Sequence, residues 1–361
     1  MTTKATKHVV SALPPASNTG WGTASRRITE EMEKLALVSD LRGSGVLLND
    51  YPMFFESPLL QAVSGVNMLP MYPHLYGNHC VGYSFCEENL LQRKYALNAL
   101  RFNHIACGST WATEQMKEAL KGFDVGVSTA IQGVDADVFH PLDDETYPDP
   151  EKFTIWSAGK FEYRKAQDVV IRAVGVMMAR HKDVHLKTSW WNPWPQSEAT
   201  MAQSQLIPWR NSQFEACCQY LDMNRVQMIG PEAHGLSVNH INTCDVGLFP
   251  NRCEAGTNLP LMEAMSCGLP VLAITSHGHA DVTKHFDSRS AIHSKPFIVL
   301  RSGMDVAEWY EPELDEVIAN LELAYSDRDA LPDMGESNRS WMDRFTWAAC
   351  AQSLLEACYP L

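Results

Sequence analysis

Residues 249–273 read FPNRCEAGTNLPLMEAMSCGLPVLA. The stretch leaves an apolar strand, crosses a loop, forms a short helix ending at Gly268, and enters a second apolar strand. Strand, loop, helix and strand in that order are the unit of an α/β protein with a parallel sheet. Two glutamates lie in it nine positions apart. Glu254 precedes a turn of Gly256, Thr257 and Asn258, and Glu263 falls on the helix that follows it. Backbone N–H groups of such a loop and the helix N-terminus suit a diphosphate, while a carboxylate can accept two ribose hydroxyls.

Working outward, the same alternation recurs through the chain. The second half predicts strands at 153–158, 184–187, 226–229, 246–249 and 271–274, with helices at 168–180, 314–325 and 346–358. The first half predicts a strand at 8–12, a loop at 13–22, a helix at 24–37 and strands at 45–48, 81–85 and 105–107. Ser109 and Thr110 supply N-cap chemistry for a helix ending near Gly122. Residues 51–80, rich in Pro, Tyr and Met, show no clean periodicity. Between 128 and 152 three prolines and a cluster of acids mark a connection, so the chain divides into 1–145 and 146–339, with 340–361 returning to the first part.

At 361 residues, two domains are expected, each large enough for its own core. Hydrophobic residues at 45% and charged residues at 20% exclude a disordered or fibrous chain. The net charge of -14 removes any global attraction to nucleic acid or an anionic membrane. No apolar run approaches 18 residues, and the first residues lack a secretory pattern, which reads as cytoplasmic. The ten cysteines never form C-x-x-C and read as buried thiols, with no zinc spacing.

The 249–273 stretch resembles the E-x7-E segment of GT-B-fold retaining glycosyltransferases of family 4. Glu263-Ala264-Met265-Ser266-Cys267-Gly268-Leu269-Pro270-Val271 matches its second half, whereas eight residues separate Glu254 from Glu263 instead of seven. Ser157 to Ala166 looks like the family's G-R-L-x-x-x-K-G, with Lys160 in place of Arg and Lys165 at the Lys position. Residues 131–141, IQGVDADVFHP, resemble the segment that closes the family's first domain. Ser17 to Thr23, with Gly20 and Gly22, resembles its Gly-rich first loop, and His277 to Val282 aligns with its G-G-x-x-E-V.

The resemblance implies a GT-B fold, two Rossmann-like domains facing across a cleft. It implies metal-independent transfer of a sugar from a nucleotide-diphosphate donor, UDP- or GDP-linked, to an acceptor hydroxyl with retention, and no cofactor. Lys160, Lys165 and Glu254 are then catalytic candidates. Gly20, Gly22, Gly256, Thr257, Asn258, Leu259 and Glu263 are donor-binding candidates. Gly230-Pro231-Glu232 lies where family members contact the base. On the acceptor side His74, His79, His104 and Glu87 are candidates, and no motif selects among them. The resemblance leaves glycan, lipid, protein, small molecule and modified nucleobase as alternative acceptors, and a homo-oligomer as a possible assembly.

Competing readings come from the same residues. A non-catalytic GT-B scaffold or regulatory subunit would explain the longer Glu254 to Glu263 spacing and Lys160. A nicotinamide-dependent oxidoreductase would use Gly20-x-Gly22, but Ser25 stands where that fingerprint wants Gly or Ala. His277-x-His279-x-Asp281 spells a binuclear hydrolase pattern without the rest of its constellation, and His279 instead reads as lining the donor cleft. Asp135-x-Asp137 fits the domain-closing segment rather than a metal site. Trp190, Trp191 and Trp194, expected in a Pro-containing loop, read as packing or an interface, with stacking on a sugar or acceptor as the alternative. Arg93 and Lys94 beside Leu90 and Leu91 form a faint membrane-facing stretch, too short to argue from.

Overall fold

The computed structural model describes residues 7–15, 19–90, 93–142, 148–209, 212–232, 235–301 and 304–360. The first domain is a six-stranded parallel sheet made of β1 (His8–Ala12), β2 (Leu37–Asp40), β3 (Leu59–Val63), β4 (Cys80–Ser84), β5 (His104–Cys107) and β6 (Gly126–Thr129). Its order is β2-β1-β3-β4-β5-β6. The second domain repeats the plan with β7 (Phe153–Gly159), β8 (Val184–Trp190), β9 (Val226–Met228), β10 (Val246–Phe249), β11 (Val271–Ile274) and β12 (Ala291–Ile292), ordered β9-β8-β7-β10-β11-β12. Both are Rossmann-like, and they face each other across a cleft. The division at 145/146 falls outside the described residues.

Local chemistry explains the helices that aim at the cleft. The Thr19 hydroxyl accepts the Gly22 N–H at 3.2 Å and starts α1 (Gly20–Glu33). The Ser109 hydroxyl accepts the Ala112 N–H at 3.1 Å and starts α2 (Thr110–Ala119). In the second domain α3 (Gln167–Arg180) follows β7, and α4 (Leu259–Ser266) follows β10 with Pro260 in its first turn. The central strands β3, β4, β10 and β11 are buried along their whole length, as strands covered on both faces must be.

Toward the C-terminus α5 (Leu314–Ser326) and α6 (Leu331–Met342) precede α7 (Trp347–Cys358), which packs against α1 in the first domain. Tyr359 locks it there, its hydroxyl donating to His8 O at 2.7 Å and accepting from His8 N–H at 2.8 Å. Gly133, in the 131–141 segment, lies under the entry to α7, where a Cβ would sit 2.1 Å from Trp347 N. Only glycine fits that approach.

Several sequence expectations need correction. The helix expected at 24–37 runs from Gly20 to Glu33, and Leu37–Asp40 is the edge strand β2 instead. That strand is mostly exposed, so no apolar run announces it, and pairing with β1 alone makes it a strand. Gly45–Leu48 is one 3₁₀ turn, not a strand. The unreadable 51–80 region holds β3, which pairs with both β1 and β4. Unforeseen too were α6 and an antiparallel ribbon of β13 (Ser294–Arg301) and β14 (Met304–Pro312). Trp190 is not in a loop: it ends β8, buried, with its indole N–H donating to Ser157 Oγ at 3.2 Å.

Among the described residues no helix is long and apolar enough to cross a membrane. All ten cysteines are free thiols, nine of them buried and Cys218 exposed.

Candidate functional site

In each sheet the direction in which successive strands are added reverses, next to β1 in the first and next to β7 in the second. Open parallel sheets bind ligands outside the carboxyl ends of strands at such points. Here the loops leaving β1, β7 and β10 meet in one cavity of about 330 Å³ between the domains. The starts of α1 and α4 abut, since a Cβ on Gly20 would lie 3.9 Å from Leu259 Cδ1. Two helix N-termini, one per domain, therefore converge on the cleft, and each favours negative charge.

An ionic network forms the floor. Lys165 Nζ donates to Glu254 Oε1, and Arg164 donates to Glu254 Oε2 at 3.0 Å. Arg164 also reaches Glu162 at 2.7 Å and, across the domain interface, Glu87 at 3.0 Å. Lys160 stands at the rim, 3.3 Å from Glu162. Three cations thus face three carboxylates. Burial alone would raise the Glu254 carboxyl, but Lys165 and Arg164 outweigh it and hold it well below the usual carboxylate range. Beneath this layer Arg252, 1% exposed, makes a bidentate pair with Asp168 at 2.8 and 2.9 Å. Its guanidinium also pairs with Glu311 and stacks 3.8 Å from the Tyr163 ring centroid.

Two buried histidines orient the loop. His277 Nδ1 accepts the Glu254 N–H at 3.1 Å, so its Nε2 carries the proton and donates to Asn251 O at 3.0 Å. His279 Nδ1 donates to Ile274 O at 3.1 Å, leaving Nε2 to accept from Asn258 Nδ2 at 3.1 Å. That bond turns Asn258 Oδ1 toward Lys165 Nζ, 3.5 Å away. Burial keeps both rings neutral, pushing His279 down to about 4 and His277 well below its ordinary value. Ala166, Asn258 and His277 all hold positive φ, at 58°, 66° and 47°. Non-glycine residues in that conformation are strained, and such strain gathers at functional sites.

Glu263 sits in the second turn of α4 with its carboxyl at the cavity wall, and burial pushes it up to about 7. Of the other sequence candidates, Lys160, Lys165, Glu254, Gly20, Gly256, Asn258, Leu259 and Glu87 line the same cavity, as do Pro231 and Glu232. Gly22 lines a neighbouring cavity. Thr257 is fully buried beneath the loop, its hydroxyl against Met262 Sδ at 3.0 Å. Ser17, Asn18 and Leu91 lie outside the described residues.

His279 does not line the cleft as expected; it lies behind Asn258, because its ring is needed to hold that amide. Of the H-x-H-x-D side chains the two imidazoles lie side by side, ring centroids 5.1 Å apart, while Asp281 reaches into the first domain to accept the Thr110 N–H at 2.7 Å. Among the described residues no group of three or more His, Cys, Asp or Glu is placed to hold a metal. His74, His79 and His104 bond to Val46 O, Ala357 O and Ser128 Oγ, away from the cavity. Asp135 pairs with Arg27 of α1. Sequence reading missed Arg164, Glu162, Arg252 and Asp168. Arg164 stands beside Lys165 in the quoted segment, and that adjacency was its one signal.

Residues 152–296, which contain Lys160, Lys165, Glu254 and Glu263, match the family described as glycosyl transferases group 1. No curated protein sequence matches the chain. Among solved structures, a glycosyltransferase from Rickettsia africae aligns with TM-score 0.64 and 11% identity over 98% of each chain. HepE from Anabaena, solved in complex with UDP and glucose, aligns with TM-score 0.63 and 12% identity over 99% of this chain and 100% of its own. Sucrose-phosphate synthase from Thermosynechococcus elongatus aligns with TM-score 0.59 and 14% identity over 82% of this chain and 71% of its own. At these identities the likeness is one of fold, and the fold is GT-B.

Proposed function

We propose that the protein is a retaining glycosyltransferase that moves a sugar from a UDP- or GDP-linked donor to an acceptor hydroxyl without a metal ion. The family match over the second domain and the GT-B fold support sugar transfer from a nucleotide-sugar donor. The observation that carries the reading is the convergence of Lys160, Arg164 and Lys165 with the N-terminus of α4 at the carboxyl end of β7. A diphosphate placed there meets three cations and a favourable helix end.

In this reading the donor diphosphate competes with Glu254 for Lys165, and the freed ammonium stabilises charge on the leaving group as the glycosidic bond breaks. Glu263 holds the ribose hydroxyls. The acceptor oxygen bonds to the anomeric carbon on the face the diphosphate leaves, and the departing phosphate takes the acceptor's proton. Glu87, bonded to Arg164 across the interface, couples domain closure to the cationic site. Residues 1–145 with 340–361 form the acceptor-side domain and 146–339 the donor domain.

A thermal-shift titration with UDP, GDP and ADP, with and without Mg²⁺, tests the donor site. A shift for UDP or GDP that needs no metal and is lost in Lys165→Ala supports the reading, and a shift with ADP alone overturns its donor assignment. Absence of a shift with all three would overturn it. Proton NMR of the glycosylated product then reports the anomeric configuration.

A further inference from the structure

Beside the donor cleft the first domain opens a second cavity of about 820 Å³. That lies within the ~300–1,000 Å³ range of pockets that enclose a drug-sized ligand. The two cavities share Thr19, Trp21, Phe85, Trp191, Pro193 and Trp194, so they are continuous. Lys160 Nζ stands 5.2 Å from the Trp194 ring centroid, which puts the rim of the donor site at their junction.

The character of the second cavity is distinct. Pro15, Val63, Leu69, Pro70 and Met71 form much of its wall, and among the described residues no charged side chain lines it. The side-chain oxygens of its Ser, Asn and Thr residues already accept backbone N–H groups. Ser64 Oγ accepts the Val66 and Asn67 N–H groups at 3.3 and 3.4 Å, Asn67 Oδ1 accepts the Leu69 N–H at 3.2 Å, and Thr19 Oγ1 accepts the Gly22 N–H. Leu69 and Met71 remain 44% and 46% exposed. Large apolar side chains left open on the wall of a cavity mark a surface that a ligand covers.

We propose that this cavity takes the acceptor, and that the acceptor is a neutral alcohol with a largely apolar body, aromatic or long-chain aliphatic. The proposal rests on the glycosyltransferase reading. A phosphate or carboxylate on the acceptor would be buried here with no cation to pair it, which is strongly unfavourable. An apolar body instead displaces water from Trp21, Phe85, Leu69 and Met71, and its hydroxyl is delivered at the shared aromatic edge beside Lys160. In the transfer, the alcohol oxygen forms the bond to the anomeric carbon, the bond from that carbon to the diphosphate oxygen breaks, and the alcohol proton leaves on the diphosphate.

The test is calorimetric titration of the full chain with 2-naphthol, octan-1-ol and glucose 6-phosphate, with UDP and GDP titrated separately. One of the two alcohols is expected to bind at least about tenfold more tightly than glucose 6-phosphate, and whichever binds better identifies an aromatic or an aliphatic source. Leu69→Glu and Met71→Glu should each weaken alcohol binding about tenfold, whereas Leu69→Met retains it, and thermal midpoints check that each variant folds. Equal or tighter binding of glucose 6-phosphate overturns the proposal, as does alcohol binding that neither charged variant changes. Failure of both nucleotides to bind while an alcohol still does would instead overturn the glycosyltransferase reading.

Discussion

Lys165 donates from Nζ to Oε1 of Glu254 at the floor of the cleft, joining two segments 89 positions apart in the chain. Each residue lies in the segment that follows a different strand of the second sheet, Lys165 after β7 and Glu254 after β10, and the pair forms because those strands are neighbours. The partnership leaves the cationic site internally balanced until an anion arrives. It also makes Glu254 a residue that sets the position of Lys165, whatever the length of the loop that follows it.

Breaking this pair from one side should be costly. Lys165→Met is expected to lower unfolding stability by about 3 kcal/mol, the low end for a broken buried pair, because Arg164 still holds Glu254. Adding Glu254→Gln should recover part of that loss. Urea denaturation of the two single variants and the double variant checks it, and losses that simply add would show the residues to be uncoupled.

Glu263 predicts a pH dependence. Its folded pKa of about 7 lies above the ordinary value of 4.5, so the folded state holds the proton more tightly. The associated stability is fully present below about pH 4.5 and is lost as pH rises through 7. Glu263→Gln, which cannot ionise, should therefore be more stable than the parent at pH 8.5 by up to about 3 kcal/mol, reduced to the extent that the carboxyl opens on the cleft, with little advantage at pH 5. Denaturation curves at the two pH values decide it.

Asp281 predicts how the domains are held. Its carboxylate accepts from the Thr110 N–H and hydroxyl at the start of α2, while Ser109 Oγ donates to Ala255 O of the loop after β10 at 2.6 Å. Asp281→Ala should cost about 1–3 kcal/mol and increase the radius of gyration of the nucleotide-free protein. Small-angle scattering measures the second effect. An unchanged radius would assign closure to the β14 contacts, where Trp309 Nε1 donates to Glu87 O at 2.8 Å.

Gly278 predicts a steric limit. A Cβ there would sit 1.8 Å from Gly256 O and 2.6 Å from Glu254 O. Gly278→Ala must push the loop after β10 away from the 277–281 turn, so the nucleotide binding proposed for the cleft should weaken at least about tenfold and stability fall by about 1–3 kcal/mol. Gly45→Ala, with nothing within 4 Å of the added carbon, is the control that should change neither. Calorimetry and thermal unfolding read both quantities.

Much of the second domain was legible because its strands are short, apolar and punctuated by Gly and Pro. The predicted strands at 246–249 and 271–274 and the helix at 314–325 fall within a residue of those observed. The first domain was less so. Edge strand β2 carries no apolar pattern, and β3 was hidden among prolines and methionines whose contacts come from distant strands. The candidate residues clustered at the cleft because each follows a strand whose carboxyl end faces it. Among the acceptor-side candidates, three histidines turned out to bond backbone or serine groups elsewhere, since an isolated His carries no local signal of direction.

Local sequence thus determined where the chain turns, which segments are strands and helices, and which charged residues stand at strand ends, because turn chemistry and apolar periodicity act over a few residues. Tertiary structure alone decided that Arg164 links Glu254, Glu162 and Glu87, that His277 and His279 serve as neutral supports for the loop, and that a second cavity, with aromatic and aliphatic walls and no charged side chain among the described residues, adjoins the cleft. Those are products of sheet order and domain apposition, which bring together side chains from many turns of chain, and burial then fixes their charge.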